Sequence, residues 1–472
     1  MMVLLHISPI LLVVLLIIVG KFLPLYAAIA GVLSVLLLWF LGVADTVSVQ
    51  TALAASVDTG VLFLATASVI VSGLAFVLVS ETIGSPQALR DWVQDLQWGR
   101  PAQVLFIVLG LMPLLESMTG FGVSLIVTVP LLVSLFDKEK ALRIALAGMA
   151  IMPWGTLGLA TQIGATLANL PSSQLGMASS VISSPVFFVL TAVALYIADV
   201  RTVRAWAGLV VLWLLFIGVL VTANIYWGVE IAGVCAGTSV LLCAAVFTLI
   251  QRPHPQVMPS GKVFPYIILP IMVLLVKALK QLTENGGWVL YGHAVQWQMV
   301  TSPAIPLFLT LVIMLFVVRC QNSWQSLLHS LVLRAWRPLL TIFFFLLLSQ
   351  LMMKAGFLMS VQAFLRQLPI TFLPVLVATF AVFGGYITGS AVGANALLMP
   401  VIGTLATSSY WLAAVQNSAA AHGALGSLSI LSLMVGLSAA NRHEEARLVR
   451  YAFTLVLLNM VLTGMMGTLL AR

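Results

Sequence analysis

The sequence predicts an all-α polytopic membrane protein, with about twelve transmembrane helices plus two re-entrant hairpins in an inverted repeat and broken helices at the midplane. Composition is the first ground. The 472 residues are 62% hydrophobic and only 7% charged, against roughly 25% charged in an ordinary soluble domain. A mean hydropathy of +1.15 leaves no room for a sizeable polar domain. At about 20 residues per apolar span, the chain has material for roughly a dozen crossings. Stretches such as 10–20 and 339–348 are apolar on every face, which suits helices and excludes the alternating strands of a membrane β-barrel.

Apolar runs place helices at 2–19, 22–42 and 60–79, followed by an amphipathic segment through Arg90, Asp91, Asp95 and Arg100. The first twenty residues lack a basic start and an A-x-A cleavage site, so they read as a retained helix. Two short legs, 102–115 and 122–136, are joined by Glu116-Ser-Met-Thr-Gly-Phe-Gly122, the pattern of a re-entrant hairpin. A span from Ala141 is interrupted at Pro153-Trp-Gly-Thr-Leu-Gly158, and further spans follow at 177–198, 205–224, 231–250, 263–282, 303–318 and 338–353. A second pair of legs, 372–387 and 396–407, encloses residues 388–395. Then come a second broken span, with Asn417 and His422-Gly-Ala-Leu-Gly426, and a last span at 448–470. The expected organisation is a first half at 1–200 (hairpin 101–136, broken helix 141–170), linking helices at 201–262, and a second half at 263–472 (hairpin 371–408, broken helix 412–440).

The formal charge of +8 is thinly spread, with no run of five basic residues, so a nucleic-acid partner is not expected. Lys138, Lys140 and Arg143, then Arg201 and Arg204, Arg252 and Lys262, Arg319, Arg334 and Arg337, and Arg442, Arg447 and Arg450 fall in alternate loops. Those loops are expected to be cytoplasmic, in a bacterial-type inner membrane, with both termini outside. Lys354 and Arg366 then fall on the wrong side, where Lys354 reads as a snorkelling side chain. Segment 326–337 reads as an amphipathic surface helix, and Trp92, Trp98, Trp288, Trp297 and Trp411 as interfacial anchors. Cys235, Cys243 and Cys320 are odd in number and form no CxxC, so no disulfide framework, metal or cofactor is expected.

The two halves of the sequence repeat the same order of parts. Thr119-Gly120 opens one hairpin turn and Thr388-Gly389 the other, while Trp154-Gly-Thr-Leu-Gly158 aligns with His422-Gly-Ala-Leu-Gly426. About seven intervening spans make the two halves enter the bilayer from opposite faces. Inverted repeats with broken helices are how secondary transporters build a midplane site, since unwound backbone and half-helix ends supply polar groups there. A channel would need rings of charge or a continuous polar path, and an intramembrane enzyme would need a nucleophile motif; neither pattern occurs.

At these residues the chain resembles the L-lactate permease family of monocarboxylate transporters. Leu115-Glu116-Ser-Met-Thr-Gly-Phe-Gly122 is similar to that family's Glu-Gly-x-x-Gly-Phe-Gly turn, and Thr388-Gly-Ser390 with Asn395-Ala-Leu397 to its Thr-Gly-Ser and Ser-Asn-Ala-Leu segments. Order and spacing also match at Trp154–Gly158 and at Gln416-Asn417 before Gly423, so the resemblance covers most of the chain. It implies uptake of a small 2-hydroxy acid such as L-lactate or glycolate by cation symport, usually with the proton, through alternating access. Two departures stand out: Ala391 replaces an aspartate of the relatives, and Ala424-Leu425 a Gly-Lys pair. They leave open a sodium-coupled transporter of a different small organic anion. A homodimer is expected by analogy with hairpin-pair transporters.

The candidate substrate-binding residues are Thr119, Gly120, Phe121, Gly122, Trp154, Gly155, Thr156, Thr388, Gly389, Ser390, Asn395, Asn417 and Gly423. Their hydroxyls, amides and half-helix N–H groups suit an anion that must also leave. Glu116 and His422 are the candidate coupling groups. A carboxylate in an apolar stretch must be protonated or pair with a cation, and an unperturbed imidazole titrates near pH 6.5. The bland readings are that Glu116 caps a hairpin leg and that His422 is a hydrogen-bonded core residue.

Overall fold

The computed structural model describes residues 2–44, 48–120, 122–251, 260–282, 288–318, 324–403, 405 and 410–470. Helix dominates because a chain surrounded by hydrocarbon must satisfy its backbone polar groups internally. The chain begins with α1 (Met2–Ile18), α2 (Pro24–Phe40), α3 (Val49–Ile83) and α4 (Ser85–Asp95). A first leg follows, α5 (Arg100–Phe106), which widens over Ile107–Leu111 and continues as α6 (Met112–Thr119); α7 (Ser124–Leu135) returns. Next, α8 (Lys138–Ala147) tightens through Gly148–Trp154 into α9 (Gly155–Ala168). Four helices then run to and fro: α10 (Ser172–Ile197), α11 (Val203–Tyr226), α12 (Val229–Gln251) and α13 (Phe264–Leu282). After a hairpin of β1 (Val289–Tyr291) and β2 (Gln296–Gln298) come α14 (Ala304–Val318), α15 (Trp324–Lys354), α16 (Phe357–Leu365), α17 (Leu373–Thr388), α18 (Ala391–Gly403), α19 (Tyr410–Ala424), α20 (Leu428–Ser438) and α21 (Arg442–Leu470).

Among the described residues, 10 helical stretches are long and apolar enough to cross a membrane, and α1, α2 and α14 are shorter apolar helices. This is an all-α polytopic membrane protein. Helix-end contacts sort into two faces. On one, Lys140 pairs with Asp199 at 2.5 Å, Arg447 with Glu139 at 2.9 Å, Lys138 with Glu444 at 3.6 Å and Arg334 with Glu81 at 3.1 Å. The Lys140 ammonium holds the Asp199 carboxyl below the usual carboxylate range. On the opposite face, His6 bonds Val43 O and Ser360, Lys277 pairs with Glu230, and Lys354 with Asp58. Helices α3 and α15 each join the two faces, with Glu81 and Arg334 at one and Asp58 and Lys354 at the other. The α5–α7 hairpin starts and ends on the basic face, where Arg100 adjoins residues 134–137. The α17–α18 hairpin starts and ends on the opposite face, with Gly403 against Ala168 and Pro374 against Gly467.

Several expectations need correction. Segment 326–337 is not a separate surface helix; it continues through Pro338 into α15, a single 31-residue helix. Trp98 is buried, not interfacial, donating its indole N–H to Thr248 Oγ1 at 2.9 Å and packing on Phe106. The connection after α13 contains a two-stranded antiparallel ribbon, registered Val289↔Gln298, Leu290↔Trp297 and Tyr291↔Gln296. Asn395 lies in α18, not in the turn.

Lys277 and Lys354 on the less basic face both have acidic partners. Asp58, fully buried on α3, accepts the backbone N–H groups of His293 (2.6 Å) and Ala294 (3.0 Å) from the ribbon's turn and the ammonium of Lys354 at 3.1 Å. Lys354 is therefore neutralised by a carboxylate, not left to snorkel. The arrangement pins α15 and the ribbon to α3. Removing the cation strands a buried acid, so Lys354→Met is expected to cost about 1–3 kcal/mol, measured as a lowered Tm in detergent. The Asp58→Asn/Lys354→Met double variant is expected to recover part of the loss.

Candidate functional site

The first break is built by local strain. Thr156 (φ 52°, ψ 54°), Leu157 (φ 54°, ψ 42°) and Gly158 (φ 72°, ψ 20°) are three consecutive left-handed residues, each non-glycine one costing about 1–2 kcal/mol. Such strain persists where the surroundings fix it and clusters at functional sites. Here the surroundings are the first hairpin tip. Gly120, at φ 69° and ψ −173°, adopts a conformation essentially reserved for glycine, and a Cβ there would strike Thr156 Oγ1. Thr156 Oγ1 donates to Thr119 O at 3.3 Å.

Glu116 organises this tip. It is fully buried on α6, and its carboxyl accepts the Gly122 N–H at 3.0 Å and the Ser124 hydroxyl at 2.7 Å. It thus sits at the N-terminus of α7, where unpaired N–H groups favour negative charge. No ion pair to Glu116 occurs among the described residues. Phe121 lies outside them.

The second tip has no such acid. By the internal repeat, Gly385 stands where Glu116 stands, and a Cβ on Gly385 would collide with the Ala420 carbonyl of α19. The N-terminus of α18 is capped by Ser390, whose hydroxyl accepts the Gly393 N–H at 3.2 Å. Gly389 takes φ 66° to make the turn. Thr388 Oγ1 lies within hydrogen-bond distance of Gly384 O (2.8 Å) and Ser390 O (3.0 Å).

A cavity of about 420 Å³ joins these parts. Its inner wall is formed by Glu116, Gly155 and Thr156 from the first half and by Thr388, Gly389 and Ser390, with residues 391–393, from the second. Ser429, near the start of α20, completes that wall. Toward the basic face the cavity is bounded by Arg334 and Arg337 of α15, which in the sequence mark only the orientation of the chain. Their positions become visible only once α15 is one helix, because residues 334, 337, 341 and 345 then share a face.

Other candidates lie behind the cavity. Asn395 donates to Ala160 O (3.0 Å) and Asn417 Oδ1 (2.8 Å), while Asn417 donates to Thr161 Oγ1 (2.9 Å) and Ser179 Oγ (3.0 Å). This fully buried network ties α18 and α19 to α9 and α10. His422 is hydrogen-bonded to Ser183 at 3.0 Å and packs edge-on against Phe187. Trp154, its repeat counterpart, packs against the same ring and donates to Asn224 at 3.3 Å. Neither lines the cavity, and neither do Thr119, Gly120 and Gly122, which shape the tip. Gly423 lets α19 lie directly on α17, for a Cβ there would strike the Val382 carbonyl. Gly423→Ala is therefore expected to destabilise by about 1–3 kcal/mol through overpacking. Its Tm should fall with or without added substrate, and a ligand-dependent loss alone would contradict the packing role.

The chain resembles known proteins most clearly in its second half. Residues 289–472, which include the α17–α18 hairpin and the broken α19–α20, match the family model described as L-lactate permease. The L-lactate permease of Streptococcus iniae is 21% identical over 346 residues, covering 66% of this chain and 72% of that protein. Together the two matches support the chain as a divergent member of the L-lactate permease family.

Proposed function

We propose that the protein is a secondary active transporter of a small monocarboxylate of the L-lactate type, importing it with a proton by alternating access. The observation that carries this reading is the cavity in which a buried carboxyl and a helix N-terminus capped only by Ser390, from hairpins entering at opposite faces, meet at one place. The family match points to a transporter, not an enzyme.

The substrate carboxylate is assigned to the N-terminus of α18. Residues 391–393 at that N-terminus line the cavity beside Thr388 and Ser390, and among the described residues no side-chain carboxylate caps them. Ala391 fits this view: the acid found there in relatives is absent, which leaves Glu116 as the carboxyl facing the ligand among the described residues. Glu116 is assigned the coupling proton. With the substrate anion beside it, a protonated Glu116 avoids two like charges at close range. The transport cycle then requires both or neither to be bound. The Asn395–Asn417 network ties the second hairpin to both broken helices, and the Thr156–Thr119 contact joins the first hairpin tip to them; this body is the unit expected to move. Apolar cavity walls such as Phe345 and Ile342 suit the methyl end of a short 2-hydroxy acid.

The test is uptake of labelled L-lactate into proteoliposomes under an imposed proton gradient, with and without sodium. Wild type is expected to accumulate lactate with the proton gradient alone. Glu116→Gln is expected to lose gradient-driven accumulation at least tenfold while retaining exchange of internal for external lactate. Uptake that follows sodium and ignores the proton gradient would overturn the coupling assignment, and no lactate uptake under either ion would overturn the substrate.

A further inference from the structure

Two arginines line the cavity mouth, yet their electrostatic situations differ. Arg334 grips the Glu81 carboxylate of α3 with both guanidinium nitrogens, at 3.2 and 3.1 Å, so its charge is neutralised in place. Arg337 makes no ion pair among the described residues; its guanidinium lies 5.0 Å from the ring centre of Trp336. A cation resting on an aromatic face keeps its full charge. Both residues sit on the α15 face that continues through Thr341 to Phe345, and a Cβ on Gly393 would touch the Phe345 ring at the cavity floor. Eight residues of helix put Arg337 about 12 Å above that floor.

We propose that Arg337 sets the positive potential through which anions enter and leave the cavity at the basic face, while Arg334 is a structural pin between α15 and α3. That the anion is a monocarboxylate rests on the transport reading above; that the mouth is selective for anions does not. At about 12 Å Arg337 does not touch an anion held at α18. In open water the Debye length of about 8 Å at physiological salt would screen it at that distance. Inside a cavity with low-dielectric walls the field is focused instead. With an effective dielectric constant of about 40, one charge at about 12 Å changes the local concentration of a monovalent ion about threefold. Arg337 thus governs anion capture and escape without holding the bound ligand.

The test reads the potential directly, without transport. In a variant whose Cys235, Cys243 and Cys320 are replaced by alanine, Ser390→Cys places a thiol at the cavity floor. Its rate of modification is measured in detergent with a methanethiosulfonate carrying a sulfonate and with one carrying a trimethylammonium group. Arg337→Gln is expected to slow the anionic reagent about threefold and to speed the cationic one similarly, with the difference shrinking in 0.5 M salt. Arg337→Lys keeps the charge and is expected to keep the ratio, which separates the field from misfolding. The Arg334→Gln/Glu81→Gln double variant removes a neutral pair and is expected to leave the ratio unchanged. Equal rates for wild type and Arg337→Gln at low salt would overturn the proposal, as would a ratio that follows the Arg334–Glu81 pair. Lactate uptake by the same wild-type protein separately decides the transport reading.

Discussion

Backbone that leaves the helical ladder inside a membrane must find its partners within the protein, and the rest of this structure follows from how four interruptions meet that demand. At the first tip, the freed N–H of Gly122 is satisfied by Glu116 and the Thr119 carbonyl by Thr156, so hairpin and broken helix complete each other. Glycine at 120 is needed because the two breaks approach so closely. At the second tip, Ser390 caps α18 through the Gly393 N–H, and residues 391–393 line the cavity. One half of the repeat is thus closed by its own carboxylate and the other carries no such acid. The proposed substrate site rests on that asymmetry.

Charge is rationed in the same way. Glu116 and Asp58 are both fully buried carboxyls, but they are satisfied differently. Asp58 receives a lysine and two backbone N–H groups and fixes α3, α15 and the ribbon together. Glu116 receives neutral donors only, which leaves its charge free to change. A fixed charge suits a scaffold and a variable one suits a moving part. The α3–α15 pair, pinned by Asp58–Lys354 at one end and Glu81–Arg334 at the other, has the first character; Glu116, in its proposed coupling role, has the second.

Much of this plan was legible in the sequence. Polar residues and glycines interrupt long apolar runs at 116–122, 153–158, 388–395 and 422–426, and an interruption inside hydrocarbon leaves a strong local signal. Glu116, Gly155, Thr156, Thr388, Gly389 and Ser390 do meet at the cavity. Periodicity does not reveal which side of a helix faces the cavity, so Asn395, Asn417 and His422 carried the same signal although they serve the packing behind it. Trp154 and His422, which match in the repeat, both contact Phe187. The arginines at the mouth were read only as markers of orientation, since a basic residue near a helix end looks the same whether it faces lipid headgroups or a cavity. The Asp58–Lys354 pair spans 296 positions of sequence separation, from 58 to 354, and leaves no local trace. The ribbon at 289–298 was too short, within a loop, to stand out against apolar spans.

The central claim is that a substrate carboxylate occupies, at the second hairpin, the place that the Glu116 carboxylate occupies at the first. An experimental structure of the protein with L-lactate bound tests it most directly. The account expects the lactate carboxylate at the N-terminus of α18, against residues 391–393 and the Thr388 and Ser390 hydroxyls, with Glu116 facing it across the cavity. Lactate seated instead among Asn395, Asn417 and His422 would contradict the account.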